Sequence, residues 1–170
     1  DALNISESTV RRDLAVLDEQ GRIQKVRGGA MVVGDAYSTK EDSVTQKKDK
    51  NLAEKREIAK YAASLIKEDD FVYLDAGTTT LAIAQHLIHM ESLTVVTNDF
   101  VIANYLLDNS NCTIIHTGGA VCRENRSCVG EAAATMLRSL MIDQAFISAS
   151  SWSVRGISTP AEDKVTVKRA

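Results

Sequence analysis

Between residues 71 and 149, short apolar runs alternate with stretches of helical spacing, and this alternation limits the possible folds more than any other feature. Phe71-Val72-Tyr73-Leu74-Asp75, Leu93-Thr94-Val95-Val96-Thr97, Cys112-Thr113-Ile114-Ile115-His116-Thr117 and Gln144-Ala145-Phe146-Ile147-Ser148-Ala149 are too short for helices and read as strands covered on both faces. Helical patterns follow the first two, at about residues 79–89 and 100–107. A loop and then a helix at about 131–140 separate the third run from the fourth. Crossovers of this length return the chain to the same end of a sheet, so the expected class is α/β, with a mostly parallel sheet and helices on both faces. A helix from Leu52 to about Ile66 precedes the alternation, with Ala59, Ala62, Ala63 and Ile66 on one side. A last helix is expected to open at Pro160, a residue suited to the first helical position.

A chain of 170 residues can bury one substantial core and carry a small appendage. No apolar run approaches membrane-spanning length, and Asp1-Ala2-Leu3-Asn4 does not read as a secretory signal. Cys112, Cys122 and Cys128 are odd in number and lack the paired spacing of a zinc site, so they read as reduced thiols in a cytoplasmic protein. No metal and no cofactor is expected. The net charge of −3 means that any contact with nucleic acid must come from a local basic surface.

In parallel sheets, ligands bind beyond the carboxyl ends of the strands. The residues there are Asp75-Ala76-Gly77-Thr78-Thr79-Thr80, Thr97-Asn98, Thr117-Gly118-Gly119 and Ser150-Ser151. Any one of these is an ordinary turn, but four on one edge suit a phosphorylated sugar. Gly77 permits close backbone approach, and a helix opening near Thr79 aims free N–H groups and its positive end at an anion. The hydroxyls of Thr78, Thr79, Thr80 and Thr97 add neutral donors, Asp75 and Asn98 suit sugar hydroxyls, and Arg123 and Lys168 are candidate cations for the phosphate. His86, His89 and His116 share no metal-ligand spacing and read as surface or half-buried residues, while Trp152 either walls the pocket or packs.

At the other end of the chain, Ser6 reads as the N-cap of a helix from about Glu7 to Gln20, with Val10, Leu14 and Leu17 as one apolar stripe and Gly21 as its left-handed stop. Arg22 to Arg27, then Gly28-Gly29, then Ala30 to Val33 read as a hairpin turning on the two glycines. A helix followed by a basic hairpin is the second half of a winged helix-turn-helix. The short hydroxyl residues Ser8 and Thr9 would let the backbone approach DNA closely, Arg11 or Arg12 would reach guanine edges or phosphates, and Lys25 and Arg27 would neutralise phosphates. Charge alone favours a solvated amphipathic helix, because residues 1–30 hold five basic and five acidic side chains.

Ser6-Glu7-Ser8-Thr9-Val10-Arg11-Arg12-Asp13-Leu14, with Arg27-Gly28-Gly29-Ala30 after it, resembles the DNA-binding signature of the DeoR family of repressors. From about Leu52 onward the chain is also similar to that family's effector-binding domain. The similarity lies in Asp75-Ala76-Gly77-Thr78-Thr79, Thr97-Asn98, Gly118-Gly119, Gly130-Glu131, Asp143-Gln144-Ala145-Phe146, Gly156-Ile157-Ser158-Thr159-Pro160 and Val167-Lys168-Arg169. The resemblance implies a fold like ribose-5-phosphate isomerase and CoA-transferase subunits. It implies a phosphorylated sugar effector held near Asp75, the Gly-Thr-Thr turn and Lys168, a homo-oligomer, and release of operator DNA when the effector binds. It also implies two helices upstream of the recognition helix, and a further strand, helix and Lys-bearing loop after Ala170. The expected organisation is a partial winged helix-turn-helix over 1–33, a linker over 34–51 and a C-terminally incomplete effector domain over 52–170. The alternative is a sugar-phosphate isomerase or CoA-transferase-like enzyme on the same fold, with Asp75, Glu131 and Lys168 in the roles of general base, second acid and cation. Such an enzyme has no use for a recognition helix.

Overall fold

Alternating faces along each strand decide which helices the sheet collects. The computed structural model describes residues 6–26, 29–32, 50–154, 156–159 and 161–170. The chain divides into two units, residues 1–41 and 42–170.

In the first unit, Ser6 caps helix α1 (Glu7–Glu19), its Oγ accepting the Thr9 N–H at 3.2 Å. Gly21 takes φ +67°, and the N–H groups of Gly21 and Arg22 close on the carbonyls of Asp18 and Leu17. That left-handed residue stops the helix as expected. Strands β1 (Ile23–Val26) and β2 (Gly29–Val32) pair antiparallel, with Val26 opposite Gly29. Gly29 is therefore a strand residue rather than part of a two-glycine turn. Arg27 and Gly28 lie outside the described residues. Val10, Leu14 and Leu17 are half-buried, and α1 has no fully buried side chain.

The second unit contains helix α2 (Leu52–Ser64), strand β3 (Phe71–Leu74), helix α3 (Thr78–His86), strand β4 (Thr94–Thr97), helix α4 (Phe100–Asn109) and strand β5 (Thr113–His116). The hairpin β6 (Ala120–Cys122) and β7 (Ser127–Val129) follows, then helix α5 (Glu131–Arg138) and strand β8 (Gln144–Phe146). A second hairpin, β9 (Ser151–Ser153) and β10 (Gly156–Ser158), leads to helix α6 (Glu162–Arg169). Strands β5, β4, β3 and β8 lie in that order, all parallel. The expected α/β class and parallel sheet are what forms.

Val72, Leu74 and Val95 point to one face and pack with Ala59, Ala62, Ile83, Ile102 and Leu106 from α2, α3 and α4, and with Leu87 just after α3. Tyr73 and Val96 point to the other, against Ala133 and Leu137 of α5 and Val167 of α6. Each fully buried Leu or Val contributes roughly 1.5–3 kcal/mol of hydrophobic stabilisation.

The structure changes several boundaries. Helix α3 begins at Thr78 and ends at His86, because the N–H of fully buried Leu87 turns back onto the Ala84 carbonyl. The expected loop after β5 is instead the β6–β7 hairpin, whose strands of three residues are too short to register as a periodic pattern. Strand β8 ends at Phe146, which leaves Ser148 beyond the sheet, and Ser151 belongs to β9. Helix α6 opens at Glu162, and Pro160 lies outside the described residues.

Candidate functional site

Period-2 alternation places Tyr73 and Asp75 on the same face of the sheet, with Val96 and Asn98 beside them. Asp75 is 2% exposed, yet its carboxylate is saturated. Oδ1 accepts from the Tyr73 hydroxyl at 3.2 Å and the Ala76 N–H at 2.9 Å. Oδ2 accepts from the Ser148 N–H at 3.1 Å and from the Lys168 ammonium. Lys168, reaching in from α6, also donates to the Ser148 carbonyl at 2.5 Å, and its side chain is 13% exposed. One lysine thus ties the ends of β3 and β8 to the last helix.

Asn98 is turned inward as well. Its Oδ1 accepts from Tyr73 Oη at 3.1 Å and from Ala76 N–H at 3.0 Å, while Nδ2 donates to the Cys128 carbonyl at 2.9 Å. Thr97 donates to the Leu74 carbonyl, and Thr80 to those of Asp75 and Gly77. The hydrogen-bonding capacity of these four predicted ligand residues is directed into the protein, where it shapes the loops.

The first turn of α3 is different. Gly77 offers no side-chain cap, and the first bond closing the helix is Leu81 N–H to the Gly77 carbonyl at 3.0 Å. Among the described residues, the N–H groups of Thr78, Thr79 and Thr80 therefore remain open, as do the hydroxyls of Thr78 and Thr79. Gly77 is required by space, since a Cβ there would lie 2.5 Å from Ser148 Oγ and 2.9 Å from its Cβ. Its N–H donates to Asp99 Oδ2 at 3.2 Å.

Asp99 caps α4 through the N–H groups of Val101 and Ile102, and burial raises its carboxyl to about 6 against the pull of those backbone bonds. Burial, and then the neighbouring Asp75 carboxylate, push the Tyr73 hydroxyl far upward, so that it stays a donor.

At the end of β5, His116 Nδ1 accepts the Gly118 N–H at 3.1 Å, and the ring stacks on Phe100 at 4.6 Å. The neutral ring therefore carries its proton on Nε2, and burial lowers its tendency to charge. Gly119 needs its freedom: it has φ +117°, and a Cβ would meet the Val129 carbonyl at 2.9 Å. Arg123 is exposed in the turn between β6 and β7, and among the described residues no hydrogen bond joins its side chain to the Asp75 cluster. Trp152 is 84% exposed, so it neither packs nor walls a pocket here.

Sequence reasoning missed Tyr73, Asp99 and Ser148. Asp99 had a legible signal, an acceptor residue directly before an apolar helical run. Tyr73 read only as a strand residue, and Ser148 was absorbed into an overlong strand.

In the first unit, Ser8 and Arg12 are exposed and Thr9 is half-buried. Ser6 Oγ lies 2.9 Å from Ser8 Oγ and 2.8 Å from Thr9 Oγ1. Arg11 pairs with Glu7 at 2.6 Å, both largely in water. Lys25 stands in β1 opposite Ala30, and Arg27 lies outside the described residues.

Comparison with known proteins gives a consistent result. Residues 50–170 match the family described as the DeoR C terminal sensor domain, and residues 1–35 match the DeoR-like helix-turn-helix domain. The chain is 72% identical, over all 170 of its residues, to the uncharacterized HTH-type transcriptional regulator YgbI of Escherichia coli (strain K12). It is 36% identical over 98% of its length to the HTH-type transcriptional repressor GlcR of Bacillus subtilis (strain 168). It is 34% identical over 96% of its length to a lactose phosphotransferase system repressor of Staphylococcus aureus (strain NCTC 8325 / PS 47). The chain spans 66%, 64% and 65% of the lengths of these three relatives.

Proposed function

The chain belongs to the DeoR family, and from that premise we propose that it serves a repressor of a sugar-catabolic operon whose hold on DNA is controlled by a phosphorylated sugar. The observation that carries this reading is the uncapped first turn of α3, with its three open N–H groups beside the buried Lys168–Asp75 pair. Open N–H groups and the positive end of the helix favour an anion. The hydroxyls of Thr78 and Thr79, and the Gly118-Gly119 turn, complete a polar edge for the sugar. Asp75, Thr80, Thr97 and Asn98 hold that edge in shape, and Lys168 supplies positive charge from α6.

Ser8, Thr9, Arg11, Arg12, Lys25 and Arg27 are the DNA-contacting set, on the recognition helix and the wing. The domain limits are 1–33, 34–51 and 52–170. The regulator acts in the cytoplasm as a homo-oligomer, and effector binding shifts it away from the DNA-bound arrangement, which requires unequal affinity for the two states. The protein is a sensor and not an isomerase or transferase. The relatives named above are regulators and repressors, and Asp75 and Lys168 are locked onto each other rather than presented as acid and base.

A thermal-shift screen of sugar phosphates, each beside its unphosphorylated parent, tests this. One phosphorylated compound should raise Tm where its parent does not, by about 2.7 kcal/mol of linked stability at a hundredfold excess over Kd. Equal shifts for both members of a pair would remove the phosphate from the proposal. Turnover of any pentose or hexose phosphate would sink the non-enzymatic reading.

A further inference from the structure

We propose that Tyr73 is the positioning residue of the anion-binding edge: its hydroxyl joins Asp75 Oδ1 to Asn98 Oδ1, so that Asp75 Oδ2 is held toward Lys168 and Ser148. The inference rests on the effector-site reading above and goes beyond it, because Tyr73 touches no ligand-facing surface.

Two electronegative oxygens, Asp75 Oδ1 and Asn98 Oδ1, face the same two donors. The Tyr73 hydroxyl lies 3.2 and 3.1 Å from them, and the Ala76 N–H 2.9 and 3.0 Å. Among the described residues, nothing else donates to either oxygen. The amide of Asn98 cannot turn away cheaply, because its Nδ2 is engaged with the Cys128 carbonyl. Without the phenol, a carboxylate oxygen and an amide oxygen would share a single N–H while buried at 2% and 3% exposure. Repulsion in such a setting is poorly screened, so the two loops would part or Asp75 would rotate.

Tyr73 is anchored for this task. It is 3% exposed and packs in the cluster that includes Val96, Ala133, Leu137 and Val167. Val167 is the neighbour of Lys168 on α6, so one apolar cluster sets both the phenol and the base of the lysine that Asp75 receives. Raised by burial and by Asp75, the hydroxyl keeps its proton at every working pH and acts as a constant donor.

The experiment is Tyr73→Phe in the full chain, which keeps the ring and removes only the hydroxyl. Lysine acylation is followed by peptide mass spectrometry, with exposed Lys60 and Lys67 as internal standards. Buried Cys112, on the opposite face of the sheet, reports global opening through its reaction with a thiol reagent. The expected result is a rise of about three- to tenfold in Lys168 labelling, the range set by loss of one buried hydrogen bond, with Cys112 labelling unchanged. Unchanged Lys168 labelling would overturn the proposal. So would parallel rises at Lys168 and Cys112, or a loss of native circular dichroism, since either assigns the hydroxyl to general stability. A separate arm titrates inorganic phosphate: wild type should bind, and Tyr73→Phe should weaken binding by a similar factor. If wild type binds no phosphate, the effector-site reading fails, while the labelling still decides the tyrosine.

Discussion

Two ion pairs, one in each unit, show how differently the molecule uses charge. Arg11 and Glu7 meet at 2.6 Å on α1, with side chains 77% and 80% exposed. Lys168 and Asp75 meet beneath the strand ends, at 13% and 3%. The first pair sits one helical turn apart on a helix with no buried residue, so water solvates either partner almost as well as the other does. The second joins residues 93 positions apart, and each would be stranded without its partner. A surface pair of this kind leaves arginine free to exchange its partner for a phosphate or a base. The buried pair instead fixes a helix and two loops around a polar edge.

Substitutions test this contrast directly. The largest effect is expected for Lys168→Met, which leaves the Asp75 carboxylate buried without a countercharge and should cost about 3–5 kcal/mol in denaturant unfolding. A cost below about 1 kcal/mol would mean that the three remaining donors to Asp75 suffice. Leu106→Ala, at a fully buried apolar position on the other face, should cost about 3 kcal/mol and gives a charge-free reference for core damage in the same unit.

Asp99 offers a test by pH. Its folded carboxyl is raised to about 6 by burial, so its contribution to stability is present below the ordinary carboxylate range and is lost as pH rises through about 6. Between about pH 4 and 6, wild type should gain stability on acidification relative to Asp99→Asn, by at most about 1.4 kcal/mol per pH unit. His116, kept neutral by burial, pulls the opposite way as pH falls. It is present in both proteins, so the difference between their Tm–pH curves isolates Asp99. Parallel curves would show that the backbone donors fully offset desolvation, and a loss of stability on acidification that they outweigh it.

The effects shrink in the first unit. Ser6→Ala removes the N-cap of α1 and should cost about 1 kcal/mol, read as faster hydrogen exchange along that helix. Arg11→Ala should change stability by less than about 0.5 kcal/mol. In the proposed regulator the same change should weaken DNA binding and lower the salt slope by about one, so a stability loss without that change would assign Arg11 to the fold.

What could be read from the residues divides along the same line as the ion pairs. The N-cap at Ser6, the stop at Gly21 and the apolar stripe of α2 all depend on neighbours within a few positions, and they appeared where expected. The hairpins β6–β7 and β9–β10 did not announce themselves, because three-residue strands carry too little periodicity. Asp75, Thr97 and Asn98 were recognised as belonging to the strand-end edge, but not as groups whose hydrogen bonds close within the protein.

The class of the fold, the mostly parallel sheet implied by strand–helix alternation and the edge on which polar loops gather are all legible in the chain's residues. Backbone periodicity and turn chemistry are local and leave their mark residue by residue. Packing in three dimensions sets the rest: Lys168 reaches Asp75, Ser148 fills the space opposite Gly77, and one tyrosine hydroxyl serves two loops. Apart from Tyr73 with Asp75, two positions away, those contacts join residues 25 to 93 positions apart, and which donor meets which acceptor is set by how the helices pack on the sheet.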